Sequence, residues 1–182
     1  MVLYQSQTRP TTHWVRADCQ AVLVIDVQAV GPDDWKAWRE LRLAALEEAP
    51  FAFGSRYADW VDATEERWRE RLGSPGAYQV IASIDGVPAG MAGGFPDEPG
   101  VAELVSMWVA PTGRGRGVGN ALMTAIETWA RSTGATTLKL SVVPGNDPAH
   151  NLYLRHGYVD TDQPGDLMPD GVRRELVMHK PL

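Results

Sequence analysis

Apolar positions in this chain follow two periods, and the switches between them mark its elements. Val118, Ala121, Leu122, Ala125, Ile126 and Trp129 recur at i, i+3, i+4, i+7, i+8 and i+11, one stripe of a helix. Thr133-Gly134 closes that helix with a left-handed cap. Ahead of it, Val101, Leu104, Val105, Trp108 and Val109 predict a strand, rich in apolar and β-branched residues. Trp38, Leu41 and Ala45 share one face of a helix from about Asp34 to Glu48, opened by Gly31-Pro32-Asp33 and stopped by Ala49-Pro50. FAFGS, from Phe51 to Ser55, leads to a second helix over Thr64 to Leu72. Ala21 to Val27 predicts a first strand. Ala77 to Ile84 and Val87 to Phe95 predict a hairpin joined by Asp85-Gly86, the strongest short signal for such a turn.

Downstream, Thr137 to Val142 predicts a strand, and Pro148 opens a helix that runs to about His156. Tyr158 to Asp160 begins a strand, Thr161 to Gly171 predicts a polar loop, and Arg173 to Lys180 a last strand. The predicted order is βααβββαβαββ. Residues 1–20 are polar and without period, an extension ahead of one mixed α/β domain over residues 21–182.

Between the central strand and its helix lies Arg114-Gly115-Arg116-Gly117-Val118-Gly119. Glycines there allow a tight turn and close approach of a ligand to the backbone. A helix N-terminus behind them presents unpaired N–H groups and the positive end of a dipole, so the turn suits a phosphate or pyrophosphate. The dinucleotide fingerprint fails in all three registers, because Val118, Asn120 or Leu122 falls where the third glycine belongs. No Gly-Lys-Ser/Thr triplet ends a P-loop.

Composition narrows the field. The 182 residues carry a net charge of −6, which argues against a general nucleic-acid binder. Cys19 stands alone, so neither an internal disulfide nor a multi-cysteine metal site is expected. No apolar run approaches a membrane span, and the first twenty residues lack the apolar core of a signal peptide, so a cytoplasmic location is expected.

Arg114, Gly117 and Gly119 form Arg-x-x-Gly-x-Gly, which resembles motif A of the Gcn5-related N-acetyltransferase (GNAT) superfamily. Asn146-x-x-Ala149-x-x-Leu152-Tyr153-x-x-x-Gly157-Tyr158 resembles motif B, with Tyr158 where Phe is usual. The motifs follow each other in the family's order with a strand between them, and FAFGS after a helix is another feature of many members. The resemblance covers about Ala21 to Leu182. It implies an α/β (α+β) fold, a mixed and mostly antiparallel sheet flanked by helices, with central strands splayed at an acetyl-CoA site. It also implies an acetyltransferase moving an acetyl group from acetyl-CoA, its cosubstrate, to a primary amine of a small molecule or protein N-terminus by direct transfer, without a metal. A catalytically silent CoA-binding sensor or partner module is the alternative. Many members are dimers, though no stretch of this chain marks an interface.

By the same resemblance, residues 114–119 (Arg114, Gly115, Arg116, Gly117, Val118 and Gly119) hold the pyrophosphate, and Met107, Trp108 and Val109 on the bulged central strand meet the thioester and pantetheine. Asn146 would bond the pantetheine arm; as a turn former ahead of a helix it has a second explanation. Tyr153 is the candidate acid for the departing thiolate, since a phenol with pKa about 10 holds its proton at neutral pH. It shares a helix face with Ala149. Glu103 is the candidate base, as an amine with pKa about 10.4 must shed a proton before it attacks. Two placements fit Glu103: an apolar site that raises its proton affinity, or an exposed face where it meets solvent or an arginine. A bulge would leave its face undecided by alternation.

His150 and His156 lack ligand-spaced companions and read as surface or cap residues. Trp35, Trp38, Trp60 and Trp68 fall where members build an acceptor wall, yet their helical spacing reads first as core. Asp160, Asp162, Asp166 and Asp170 crowd the predicted loop without a basic residue. They would gather a cationic acceptor if they border the cleft, or else simply make turns.

Overall fold

The computed structural model describes residues 23–168 and 170–182. The expected polar extension, with Cys19, and the first two residues of the expected first strand, Ala21 and Val22, lie outside the described residues. A seven-stranded sheet carries the molecule, in the order β1-β2-β3-β4-β5-β7-β6. Its strands are β1 (Ile25–Val30), β2 (Tyr78–Ile84), β3 (Val87–Pro96), β4 (Val101–Val109), β5 (Thr137–Val142), β6 (Val159–Leu167) and β7 (Arg174–Pro181). Among the described residues, only β4 and β5 pair in parallel; the other neighbours are antiparallel. The helices are α1 (Trp35–Glu48), α2 (Glu65–Leu72), α3 (Val118–Ser132) and α4 (Asp147–Arg155), so the element order is the one predicted.

The predicted stripe of α3 supplies the core of one sheet face. Val118, Leu122 and Ile126 of the stripe, joined by Met123 and Ala130 from beside it, are fully buried there against Val80, Ala92, Leu104, Leu138 and Leu140. Each such aliphatic side chain contributes about 1.5–3 kcal/mol on burial. Trp129 stacks on Tyr78, with ring centroids 5.6 Å apart, and lies over Gly94, where a Cβ would collide with the indole. The other face is covered by α1 and α2 through Trp38, Ala45, Leu46, Trp68 and Leu72. Thr64 caps α2, its Oγ1 accepting from the Arg67 amide at 3.4 Å. The β2–β3 turn has positive φ at both Asp85 (50°) and Gly86 (81°), as a two-residue hairpin of this hand requires.

Two expectations need correction. Leu23 and Val24 of the expected first strand are not strand, which here spans Ile25–Val30: Val24 bonds Asp85 at the hairpin tip instead of joining the ladder as β-strand. The polar stretch expected to be a loop over Thr161 to Gly171 is largely strand β6, which reaches Leu167. It pairs with β7 alone and forms the sheet edge, exposed over most of its length. That position removes the apolar alternation that identifies a strand in sequence, and an edge tolerates Pro164, beside which the register shifts.

Candidate active site

The site begins at a fault in the central strand. Met91 pairs with Trp108 and Gly93 with Val105, so two steps on β3 match three on β4. The extra residue is a β-bulge, and Ser106 sits in it with φ of 56°. The bulge reverses the alternation of β4. Ala102 and Leu104 pack on the α3 side before it, and Met107 and Val109 do so after it, while Trp108 joins the α1/α2 side. Glu103, between Ala102 and Leu104, therefore occupies the α1/α2 face.

Parallel pairing of β4 with β5 stops at Leu104↔Leu140. Beyond it, Val105 to Val109 have no partner on the β5 side, and the strands part into a cleft of about 900 Å³. The backbone groups along this edge can meet a ligand. Into the gap from the α3 side come the glycine turn and α4, which contribute Gly115, Gly117, Gly119, Asn146 and Tyr153. From the α1/α2 side come Arg42, the whole Phe51 to Ser55 segment and Arg71. Glu103, Asp166 and Glu175 line it as well. The cleft thus opens to both sides of the sheet.

In the turn, Gly117 is the residue before α3 and has φ of 91°, a left-handed conformation that glycine takes without penalty. The first bond of α3 runs from Ala121 N–H to Gly117 O at 3.1 Å, so the amides of residues 118–120 precede the intrahelical ladder. Gly119 lets α4 close in, since a Cβ there would stand 3.1 Å from Leu152 Cδ2.

The side chains of the turn do other work. Arg114 donates from Nε to Val109 O at 3.1 Å and from Nη2 to Glu48 Oε2 at 2.7 Å. The same Glu48 oxygen accepts from Trp108 Nε1 at 3.0 Å. The Arg114 bond, then the Trp108 bond, hold the Glu48 carboxyl below its ordinary range. Arg114 therefore braces the end of α1, the bulged strand and the turn. Arg116 reaches Thr112 O at 3.4 Å and stands off the cleft, while the Val118 side chain lies in the core.

Tyr153 is 4% exposed and edges the cleft with its ring tilted against Tyr158, centroids 6.1 Å apart. Burial pushes its phenol well above the ordinary value, so it stays protonated. Asn146 precedes α4, is half-buried, and makes no capping bond with its side chain, which leaves the amide to the cleft. Glu103 is half-buried, and burial is the main cause of its raised pKa. Lys139 opposes that rise, while Asp97 and Asp166 add to it. The Lys139 ammonium is itself held by Asp97 at 2.7 Å.

Sequence reasoning missed Glu175, on β7. Its pKa is raised by burial, then by Asp166 and Glu103, against a bond from Ser141. Its strand is polar, and nothing local marks one glutamate among its neighbours. Of the four aspartates expected near an acceptor, only Asp166 lines the cleft. Asp160 meets His150 Nε2 at 2.8 Å, and Asp170 binds Arg173 at 2.6 Å. The four tryptophans Trp35, Trp38, Trp60 and Trp68 stay off the cleft lining; Trp38 and Trp68 are fully buried core. His156 sits between Glu127 Oε1 (3.3 Å) and Asn120 Oδ1 (3.2 Å). Among the described residues, no three His, Cys, Asp or Glu side chains converge to hold a metal.

Comparison with known proteins meets this geometry. The family model described as "Acetyltransferase (GNAT) family" matches residues 35–158, from α1 to the end of motif B. The chain is 26% identical over 146 residues to an aminoglycoside N(6')-acetyltransferase type 1 of Stenotrophomonas maltophilia, covering 75% of this chain and 88% of that one. It is 31% identical over 114 residues to an IAA acetyltransferase of Azospirillum brasilense, covering 62% and 73%. The fold matches yncA of Salmonella typhimurium, solved with its cofactor acetyl-CoA, with a TM-score of 0.70 at 19% identity over 87% of this chain and 94% of that one. The chain belongs to the acetyltransferase (GNAT) family and is an acyl-CoA-dependent N-acetyltransferase.

Proposed function

We propose that the protein transfers acetyl from acetyl-CoA directly to a primary amine of a small molecule or peptide, in the cytoplasm, and that residues 21–182 form the one domain needed. The observation that carries this reading is the parting of β4 from β5 beyond Leu104. It joins a phosphate-suited turn on one side of the sheet to a group of carboxylates on the other. Both substrates can therefore meet in the gap, and transfer needs no covalent enzyme intermediate.

The amides opening α3 and those of Gly115 and Gly117 would hold the pyrophosphate. Asn146 would bond the pantetheine arm, and the free edge of β4 around Met107, Trp108 and Val109 would bring backbone N–H groups to the thioester oxygen. Glu103 takes the proton of the incoming ammonium, directly or through water, and its raised pKa suits that exchange. The amine nitrogen bonds to the acyl carbon, the surplus proton left on that nitrogen is relayed through water to the Tyr153 oxygen, and the carbon–sulfur bond breaks. Tyr153 donates its proton to the leaving sulfur. The thiol's ordinary pKa of about 8.5 lies below that of the buried phenol, so donation by the phenol alone is uphill and is driven by the more acidic proton arriving from the adduct's nitrogen. Glu103, Asp166 and Glu175 together favour a protonated amine at the mouth.

The test is thiol release from acetyl-CoA against a panel of amines. Release with an N-acetylated product supports the reading. Binding of acetyl-CoA with no release on any amine would instead support a silent CoA-binding module.

A further inference from the structure

The cleft contains a second polar cluster that the chemistry above does not use. Arg42 of α1 and Arg71 of α2 both line it. Arg42 is only 4% exposed, and its Nε and Nη1 are buried without an acceptor; so is Nε of Arg71. Neither guanidinium belongs to an ion pair among the described residues. What they have instead is weak. Arg42 lies over the Phe53 ring at 4.5 Å, Arg71 over Trp60 at 5.3 Å, and Arg71 Nη2 donates to Ser106 Oγ at 3.0 Å.

Burying a cation without a counter-charge is costly, and a second, half-buried cation beside it adds to that cost. Burial, and then the Arg71 charge, lower Arg42 to about 9, which still leaves it protonated at neutral pH. Three unpartnered N–H donors on two neighbouring guanidiniums, Nε and Nη1 of Arg42 and Nε of Arg71, match a carboxylate or a similar oxyanion. The pair stands on the α1/α2 face, across the sheet from the glycine turn, so the pyrophosphate does not account for it. Its contact with Ser106 places it at the bulge, beside the edge of β4 where acyl transfer would occur. Glu103 lies three residues back along the same strand, about 10 Å at the ordinary rise per residue.

We infer that Arg42 and Arg71 form an oxyanion subsite, and that the acceptor is a zwitterion: an amine with a carboxylate or comparable oxyanion on the same small molecule. This rests on the acetyltransferase reading and specifies its acceptor. The carboxylates Glu103, Asp166 and Glu175 receive the ammonium end, and the two arginines receive the acid end. The two charge clusters would orient such a molecule with its nitrogen toward the gap. A purely cationic amine would leave both arginines unpaired and meet their repulsion.

The experiment uses matched acceptors, α- and ω-amino acids of increasing length and the primary amide of each, with acetyl-CoA and thiol release as readout. In the parent protein the best acid should exceed its amide in kcat/KM by about ten-fold or more, as a charge-assisted contact implies, chiefly through KM. Arg71→Gln and, separately, Arg42→Gln should bring that ratio to about one, and Arg71→Lys should keep part of the preference. Equal rates for acid and amide in the parent, or an unchanged ratio in both Gln variants, would overturn the inference. A second arm needs no turnover: thermal shifts of the CoA-saturated protein with the corresponding carboxylic acids that lack the amine. The shift should be present in the parent and lost in Arg71→Gln; no shift in the parent would also overturn it. Carboxylate binding lost in Arg71→Gln, but no thiol release on any amine, would count against the transferase reading and leave the oxyanion subsite standing.

Discussion

Gly117→Ala separates the strain of the glycine turn from its hold on the cofactor. The residue has φ of 91°, and an L-residue in the left-handed region costs about 1–2 kcal/mol. Its new Cβ would stand 3.2 Å from Ile25 Cδ1, close enough that Ile25 must yield by a few tenths of an ångström, so little is added to that cost. For a domain of this size the loss corresponds to a fall in Tm of about 2–8 °C. Gly134→Ala is the control. Its φ is 82°, its Cβ would meet nothing within 4 Å, and it lies past the far end of α3. Both variants should lose similar stability. Only Gly117→Ala displaces amides assigned to the pyrophosphate, and losing one charge-assisted bond of about 1.5–3 kcal/mol weakens binding by about ten- to one-hundred-fold. Melting curves and calorimetric titration with acetyl-CoA measure the two effects. Equal affinity in Gly117→Ala and Gly134→Ala would remove the turn from the cofactor site, whatever the loss of stability.

Tyr153→Phe keeps the buried ring and removes the proton; kcat should fall by about 10²-fold with acetyl-CoA affinity little changed, and an unchanged kcat with chemistry rate-limiting would return Tyr153 to the core. Because Glu103 has a raised pKa and acts only when deprotonated, activity should fall as pH drops through a point above the ordinary carboxylate range. Glu103→Gln should abolish that limb in kcat/KM profiles, and a surviving limb would assign it elsewhere. Asp166→Asn should lower kcat/KM for the best protonated-amine acceptor at low salt and converge with the parent at high salt, whereas Asp162→Asn, off the cleft, should match the parent throughout. Glu48→Gln loses the charge that faces Arg114, and acetyl-CoA affinity should fall with a lesser effect on Tm; a variant with parental affinity would show that the brace does not position the turn.

What the sequence by itself determined is what neighbouring residues settle among themselves. The stripe from Val118 to Trp129 predicts α3 because helical period is local, and the two residues Asp85-Gly86 suffice for the hairpin because their own dihedrals shape it. The resemblance to the two motifs implied that Tyr153 and Asn146 meet the glycine turn, and all of them line one cleft. The tertiary structure decided what depends on distant partners. Strand β6 was hidden because an edge strand exposed to water needs no apolar alternation. The face of Glu103 waited on pairing with β3, because one extra residue reverses every side chain beyond it. The motif says nothing of the bond from the Arg114 guanidinium to Glu48, 66 residues away in sequence, which only the packing of α1 against the turn creates. Arg42 and Arg71 belong to separate helices and look like ordinary members of amphipathic stretches. The burial of Arg42 beside half-buried Arg71 at the bulge arises only when both helices pack on one sheet face, because electrostatic cost depends on separation in space and on the exclusion of water, neither of which is a property of residue order.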